Sequence, residues 1–220
     1  MHMNSARADA DDASAPAALD RLRRLDARAV RDSVALVNRL APGDLARPTP
    51  CAGWDLAALL AHLTAQHHGF AAAALGRGRD LTHWAVRPLG DDVAVAAMRY
   101  RLAAEGVLAA FATVTDPDRP FALPEFTTDR TFPAVQAVGF HLIDYVVHGW
   151  DLARSLGLRY DPDPELLDAA LPIARAVPDG AARLAPGSAF RPGLPATADA
   201  GALDRVLAVL GRSPEWRVPA

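Results

Sequence analysis

Between Pro133 and Gly157 the chain reads PAVQAVGFHLIDYVVHGWDLARSLG, and this segment restricts the fold more than any other. At 100° per residue, His141, Asp144, His148 and Asp151 fall within about 80° of one another on a helical wheel. Their neighbours Val138, Phe140, Leu142, Ile143, Tyr145, Val146, Val147, Trp150 and Leu152 are apolar. A helix that is apolar most of the way round is buried, so the polar stripe is expected inside. Burying ionisable groups costs several kcal/mol unless they pair or hold a metal. Asp144 and His148 stand at i and i+4, the spacing at which two helical side chains share one ion. The same spacing also makes an ordinary helix ion pair, and both readings stay open on spacing alone.

A buried helix needs partners. From Ala17 to Leu40, the apolar positions Leu22, Leu25, Val30, Val34, Val37 and Leu40 predict an amphipathic first helix, ended by Pro42 and Gly43. After the turn-rich PGDLARPTPCAGW, Asp55 is placed to cap a second helix running to about Leu75. Asp91 or Asp92 can cap a third that runs to about Val114, and Pro133 suits the first turn of the fourth. The alanine excess within a 51% hydrophobic composition favours helices throughout. Four long helices predict a mainly all-α protein built on an antiparallel bundle over residues 17–158. Residues 1–16 are polar and aperiodic and are expected to be a disordered tail. Residues 159–220 are expected to form a short extension packed on the bundle. It would hold two helices, PELLDAALPIARAV and AGALDRVLAVLG, and could include a strand near Phe190. The linker TDPDRPFALPEFTTDRTF is expected to be irregular.

Several function classes drop out. A net charge of −3 and a pI near 6.1 leave no basic surplus for nucleic acid. No stretch reaches the roughly 18 apolar residues of a membrane span. A single cysteine, Cys51, allows no internal disulfide, so a reducing cytoplasm is the expected location. All 23 basic residues are arginine, which removes lysine chemistry.

A third ligand has to come from another helix, and His62, set among Leu59, Leu60 and Leu63, is the candidate; a satisfied core histidine is its alternative. His67 and His68 lie about 140° and 240° from it and should point elsewhere. A His-carboxylate-His set leaves positions open on the ion, which favours reactivity over a closed structural role. His141 is one turn back, as a further ligand, a supporting group or a proton carrier. Asp151 can hold the second nitrogen of a ligand histidine or pair with Arg154. Trp54 and Trp150 adjoin the ligand helices and could line a pocket mouth. His83 and Trp84 lie in a loop that could fold over the site to contact substrate. Cys51 is read as structural.

The runs TPCAGWDLAALLAHL and HLIDYVVHGWDLARSLG, with the closing GRSPEW, resemble the DinB-like superfamily, in particular the actinobacterial group related to mycothiol-dependent maleylpyruvate isomerase. The resemblance implies a four-helix bundle with a divalent metal, zinc above all, on His62, Asp144 and His148. In the isomerase the middle ligand is glutamate and in many DinB-like relatives histidine; here it is aspartate. The resemblance further implies an enzyme in which a low-molecular-weight thiol such as mycothiol adds, as a thiolate, to an electrophilic small-molecule substrate. A transferase or isomerase is thus expected. A hydrolase with His141 or Asp151 as base, or a non-catalytic metal-binding or sensing bundle, are the alternatives. The expected partners are the small-molecule substrate and, as a homodimer, a second copy of the chain.

Overall fold

The computed structural model describes residues 5–185 and 190–218. Helix α1 spans Ser5–Val37, α2 Leu56–Ala74, α3 Val93–Ala112 and α4 Ala134–Ser155. These form the bundle, in which α1 lies along α4 and α2 along α3, with further contacts of α1 on α3 and α2 on α4. The caps read from sequence hold: Asp55 accepts from the backbone N–H of Ala58, and Asp92 from those of Ala94 and Val95. Two shorter helices, α5 (Pro164–Ala176) and α6 (Ala202–Val209), pack on each other, and α5 lies against α4.

Two apolar clusters hold the bundle together. One joins Leu25, Leu59, Leu63, Tyr100, Leu142, Tyr145 and Trp150 to Leu166, Leu207 and Leu210, so the extension shares the core of the bundle. The other gathers Leu19, Phe70, Trp84, Val107, Phe111 and Val138 around Phe121 and Phe132. Those two phenylalanines sit in the linker expected to be irregular. There, β1 (Pro120–Phe121) pairs antiparallel with β2 (Phe132–Pro133), a short ladder that turns both rings inward. Among the described residues no strand forms at Phe190, and residues 186–189 of that stretch lie outside them. Of the segment expected as a tail, residues 1–4 and the side chains of 5–14 also lie outside the described residues, and the helix assigned there begins at Ser5 rather than Ala17. No described helix is long and apolar enough to cross a membrane.

Candidate metal centre

Two helices bring the centre together. The Asp55 cap starts α2 seven residues before His62, and Pro133 starts α4, which carries Asp144 and His148 one turn apart. One donor atom each from His62, Asp144 and His148 lies within 4.8 Å of the other two. Ligand atoms about 2.0–2.2 Å from a shared ion stand roughly 3–4 Å apart, so small side-chain rotations close the set around a metal. Oδ1 of Asp144 is already 3.3 Å from Nε2 of His148. The His62 and His148 rings meet edge-on with centroids 5.5 Å apart, and Trp54 packs on His62 at 5.0 Å.

Nε2 of His148 and Oδ2 of Asp144 are buried and make no hydrogen bond. Buried polar atoms are almost always partnered, and two orphans on adjacent prospective ligands fit a cation between them. The other face of His148 is fully occupied. Its Nδ1 donates to Oδ2 of Asp151 at 2.8 Å, an arrangement that leaves Nε2 directed at Asp144. Asp151 is gripped in turn by Arg212, whose Nε donates to Oδ1 and Nη2 to Oδ2, both at 3.1 Å. Arg212 Nη2 also lies 3.1 Å from Sγ of Cys51, whose thiol faces Oδ2 of Asp151 at 3.1 Å. Cys51, His148 and Asp151 are a second group close enough to hold an ion. A guanidinium already pairs that carboxylate and sulfur, however, and its charge would oppose a metal there. Of the two groups, His62, Asp144 and His148 on the Nε2 side are the better candidate to hold an ion.

Burial lowers the His62 pKa to about 4 against the opposing pull of Asp144, so its ring is neutral and able to ligate near pH 7. Burial acts to raise the Asp144 pKa, but the charge of His148 at 3.3 Å and that of His62 outweigh it and keep the carboxyl ionised. Burial likewise acts to lower His148, yet Asp144, Cys51 and Asp151 raise it well above the ordinary histidine range. Asp151 is depressed to about 2: burial would raise it, and Arg212 and His148 overcome that.

His141 is buried in the same helix but the structure does not bring it into this set. Its Nδ1 donates to Asp26 at 2.7 Å, and its Nε2 lies 3.3 Å from Nδ1 of His67. His67 stacks on Tyr145 at 4.3 Å, and burial, reinforced by His141, lowers its pKa well below the ordinary value. Asp151 takes the first of its two expected roles, holding His148. Arg154 instead donates to the Pro214 carbonyl and sits 5.4 Å over the Trp150 ring, which is buried in the core. Trp84 is corrected from a loop contact to a core residue: its indole N–H donates to the Gly78 carbonyl, and its ring packs flat where a Cβ on Gly69 would be. Only His83 of that pair stays near the surface, beside a cavity that none of the three ligands lines.

Sequence reasoning passed over four participants. Gln66, one turn after His62, donates to Glu125 at 2.7 Å, and burial together with the charge of Asp144 raises the Glu125 pKa. The i+4 spacing marks Gln66, but nothing local marks Glu125, which arrives from the β1–β2 connection. Arg212 lies within the quoted GRSPEW. Asp26 interrupts the apolar face of α1 between Leu22 and Val30, a visible signal.

Two uncharacterized proteins of Mycobacterium tuberculosis, MT0763 of strain CDC 1551 and Rv0738 of strain H37Rv, are each 29% identical to this chain over 183 residues, covering 81% of it and 91% of the relative. Among solved structures, the bundle is similar to mycothiol-dependent maleylpyruvate isomerase. A mutant form of that enzyme aligns with a TM-score of 0.54 at 12% identity, and the unmutated form with 0.52 at 13%, each alignment covering 72% of this chain and 68% of the other. At such identity the likeness is one of fold. Residues 26–153, more than half of the chain and all three prospective ligands, match the profile of the mycothiol maleylpyruvate isomerase N-terminal domain, and the chain belongs to that family.

Proposed function

We propose that the protein is a metal-dependent enzyme that activates a low-molecular-weight thiol, with mycothiol the candidate its family suggests, for transfer to or isomerisation of an electrophilic small molecule in the cytoplasm. The observation that carries this reading is the convergence of donor atoms of His62, Asp144 and His148 within 4.8 Å of one another, with His148 Nε2 and Asp144 Oδ2 buried and without a hydrogen bond and His62 neutral. Zinc held by His62, Asp144 and His148 would supply Lewis acidity that lowers the pKa of a bound thiol. The chain's own residues supply the rest. Asp151 and Arg212 fix the His148 ring, Trp54 shields the His62 side, and Glu125, held by Gln66 one turn after His62, is the carboxylate we assign to take a proton from the incoming thiol.

Metal analysis and thiol binding test this directly. Purified protein is expected to hold one zinc per chain and to transfer mycothiol to an electrophile, whereas His62→Ala and His148→Ala lose the metal and retain the fold. Full metal occupancy in both variants would overturn the site. Zinc without thiol turnover against a broad electrophile panel would leave the site and remove the reaction.

Glu125 also supports a second reading, a hydrolase in which it serves as base toward water. Turnover of esters or amides without added thiol selects that reading.

A further inference from the structure

Outside the set of His62, Asp144 and His148, α2, α3 and the segment that connects them line an open cavity of about 650 Å³. That volume falls within the range of small-molecule sites. Its lining is divided. Arg87 and Arg99 contribute two fixed positive charges, His68 and His83 add two imidazoles, and no carboxylate lines it. Leu89 and Leu102 are among its apolar walls. In a chain of net charge −3, this concentrates positive potential in one concavity. Neither arginine has a carboxylate partner among the described residues, whereas Arg101, on the same helix as Arg99, pairs with Glu105. Arg99 is held in place by donating to the Leu89 carbonyl at 3.0 Å, which leaves the remaining N–H groups of its fork for a ligand. The basic groups lie close enough to act on one another: burial, then His83 and Arg87, lowers the His68 pKa.

We propose that this cavity is a binding site, separate from the metal centre, for an amphipathic organic anion whose apolar body rests on Leu89 and Leu102 and whose carboxylate or phosphate is held by Arg87 and Arg99. The guanidinium fork matches either planar carboxylate or phosphate oxygens, and His68 and His83 add donors beside it. The volume exceeds what a bare inorganic anion fills, and Leu89 and Leu102 give an apolar body a surface to rest on. A thiol or electrophile engaged at the metal would not need these residues.

Calorimetric titration of the zinc-loaded full chain with naphthoate, naphthyl phosphate and neutral naphthalene methanol tests the site. At least one anion is expected to bind at least tenfold more tightly than the alcohol, and the arm that binds better identifies the head group. Arg87→Ala and Arg99→Ala are each expected to weaken that anion about 10- to 100-fold, in line with loss of a charge-assisted hydrogen bond. Arg87 is exposed, so its variant keeps the test decisive if Arg99→Ala fails to fold. His148→Ala is expected to leave the affinity unchanged. Equal affinity for acid and alcohol, wild-type affinity in Arg87→Ala, or loss of binding in His148→Ala would each overturn the proposal, the last by moving the anion to the metal.

Discussion

His148 turns its two ring nitrogens to opposite tasks, with Nδ1 donating to Asp151 at 2.8 Å and Nε2 buried 3.3 Å from Asp144 without a hydrogen bond. The two carboxylates stand at i−4 and i+3 from the histidine, so one helix supplies both a prospective ligand and the group that fixes the ring between them. Arg212 from beyond α6 completes the arrangement by neutralising Asp151, which makes Asp151 a better hydrogen-bond anchor than a metal ligand.

Replacing the anchor tests that division. Asp151→Asn is expected to reduce zinc affinity about 10- to 100-fold, the usual cost of losing an outer partner of a ligand histidine. Competition against a chelator measures it. Undiminished affinity would mean that the ring needs no such anchor.

Proton release is the second expectation. Without metal, His148 is protonated at neutral pH because its pKa is raised well above the ordinary range, whereas His62 is neutral down to about pH 4. Binding zinc at pH 7 therefore displaces about one proton, and affinity climbs roughly tenfold per pH unit until His148 is itself neutral. Titrations in buffers of different ionisation enthalpy count the proton. The sign for folding is opposite: the His148 contribution to stability is complete below the unfolded pKa of about 6.5 and is lost as pH rises through the folded one. The metal-free protein should thus lose stability toward alkaline pH while metal binding gains.

Glu125 should matter to turnover and not to metal. Glu125→Gln is expected to keep full zinc occupancy while kcat for thiol transfer falls about 10²- to 10⁴-fold, the range for a proton carrier. The acid limb of the pH profile should disappear with it. An unaltered profile would return Glu125 to a packing role beside Gln66.

For His141 the expectation is the reverse. Asp26→Asn removes the carboxylate that holds its Nδ1 and should destabilise the bundle by about 1–3 kcal/mol, measured by denaturant titration. Zinc stoichiometry should stay at that of the wild type. Metal loss in this variant would show that the Asp26–His141–His67 chain supports the centre directly.

Gly69→Ala addresses the packing beneath the α2–α3 connection. A Cβ there would stand 2.2 Å from the Trp84 ring, which is fixed by its bond to the Gly78 carbonyl and cannot simply move aside. A loss of about 1–3 kcal/mol is expected from overpacking. Thermal unfolding checks it, and a neutral result would mean that the indole has room to shift.

The four bundle helices, the Asp55 and Asp92 caps and the helix carrying His141, Asp144, His148 and Asp151 were legible in the sequence, because period, capping and turn chemistry are local properties. The closeness of Asp144 and His148 on α4 was legible for the same reason, since four residues of helix fix their spacing whatever surrounds them. What surrounds them was not. Partners distant along the chain chose among side chains that the wheel had grouped: Asp26 and His67 drew His141 into a separate chain of hydrogen bonds. Arg212, 61 residues after Asp151, made that carboxylate an anchor, and Gly69 admitted Trp84 to the core. Periodicity says which side chains are buried. Only the packing of helices brought together from distant segments decides which of them pair with one another and which converge as a prospective metal centre.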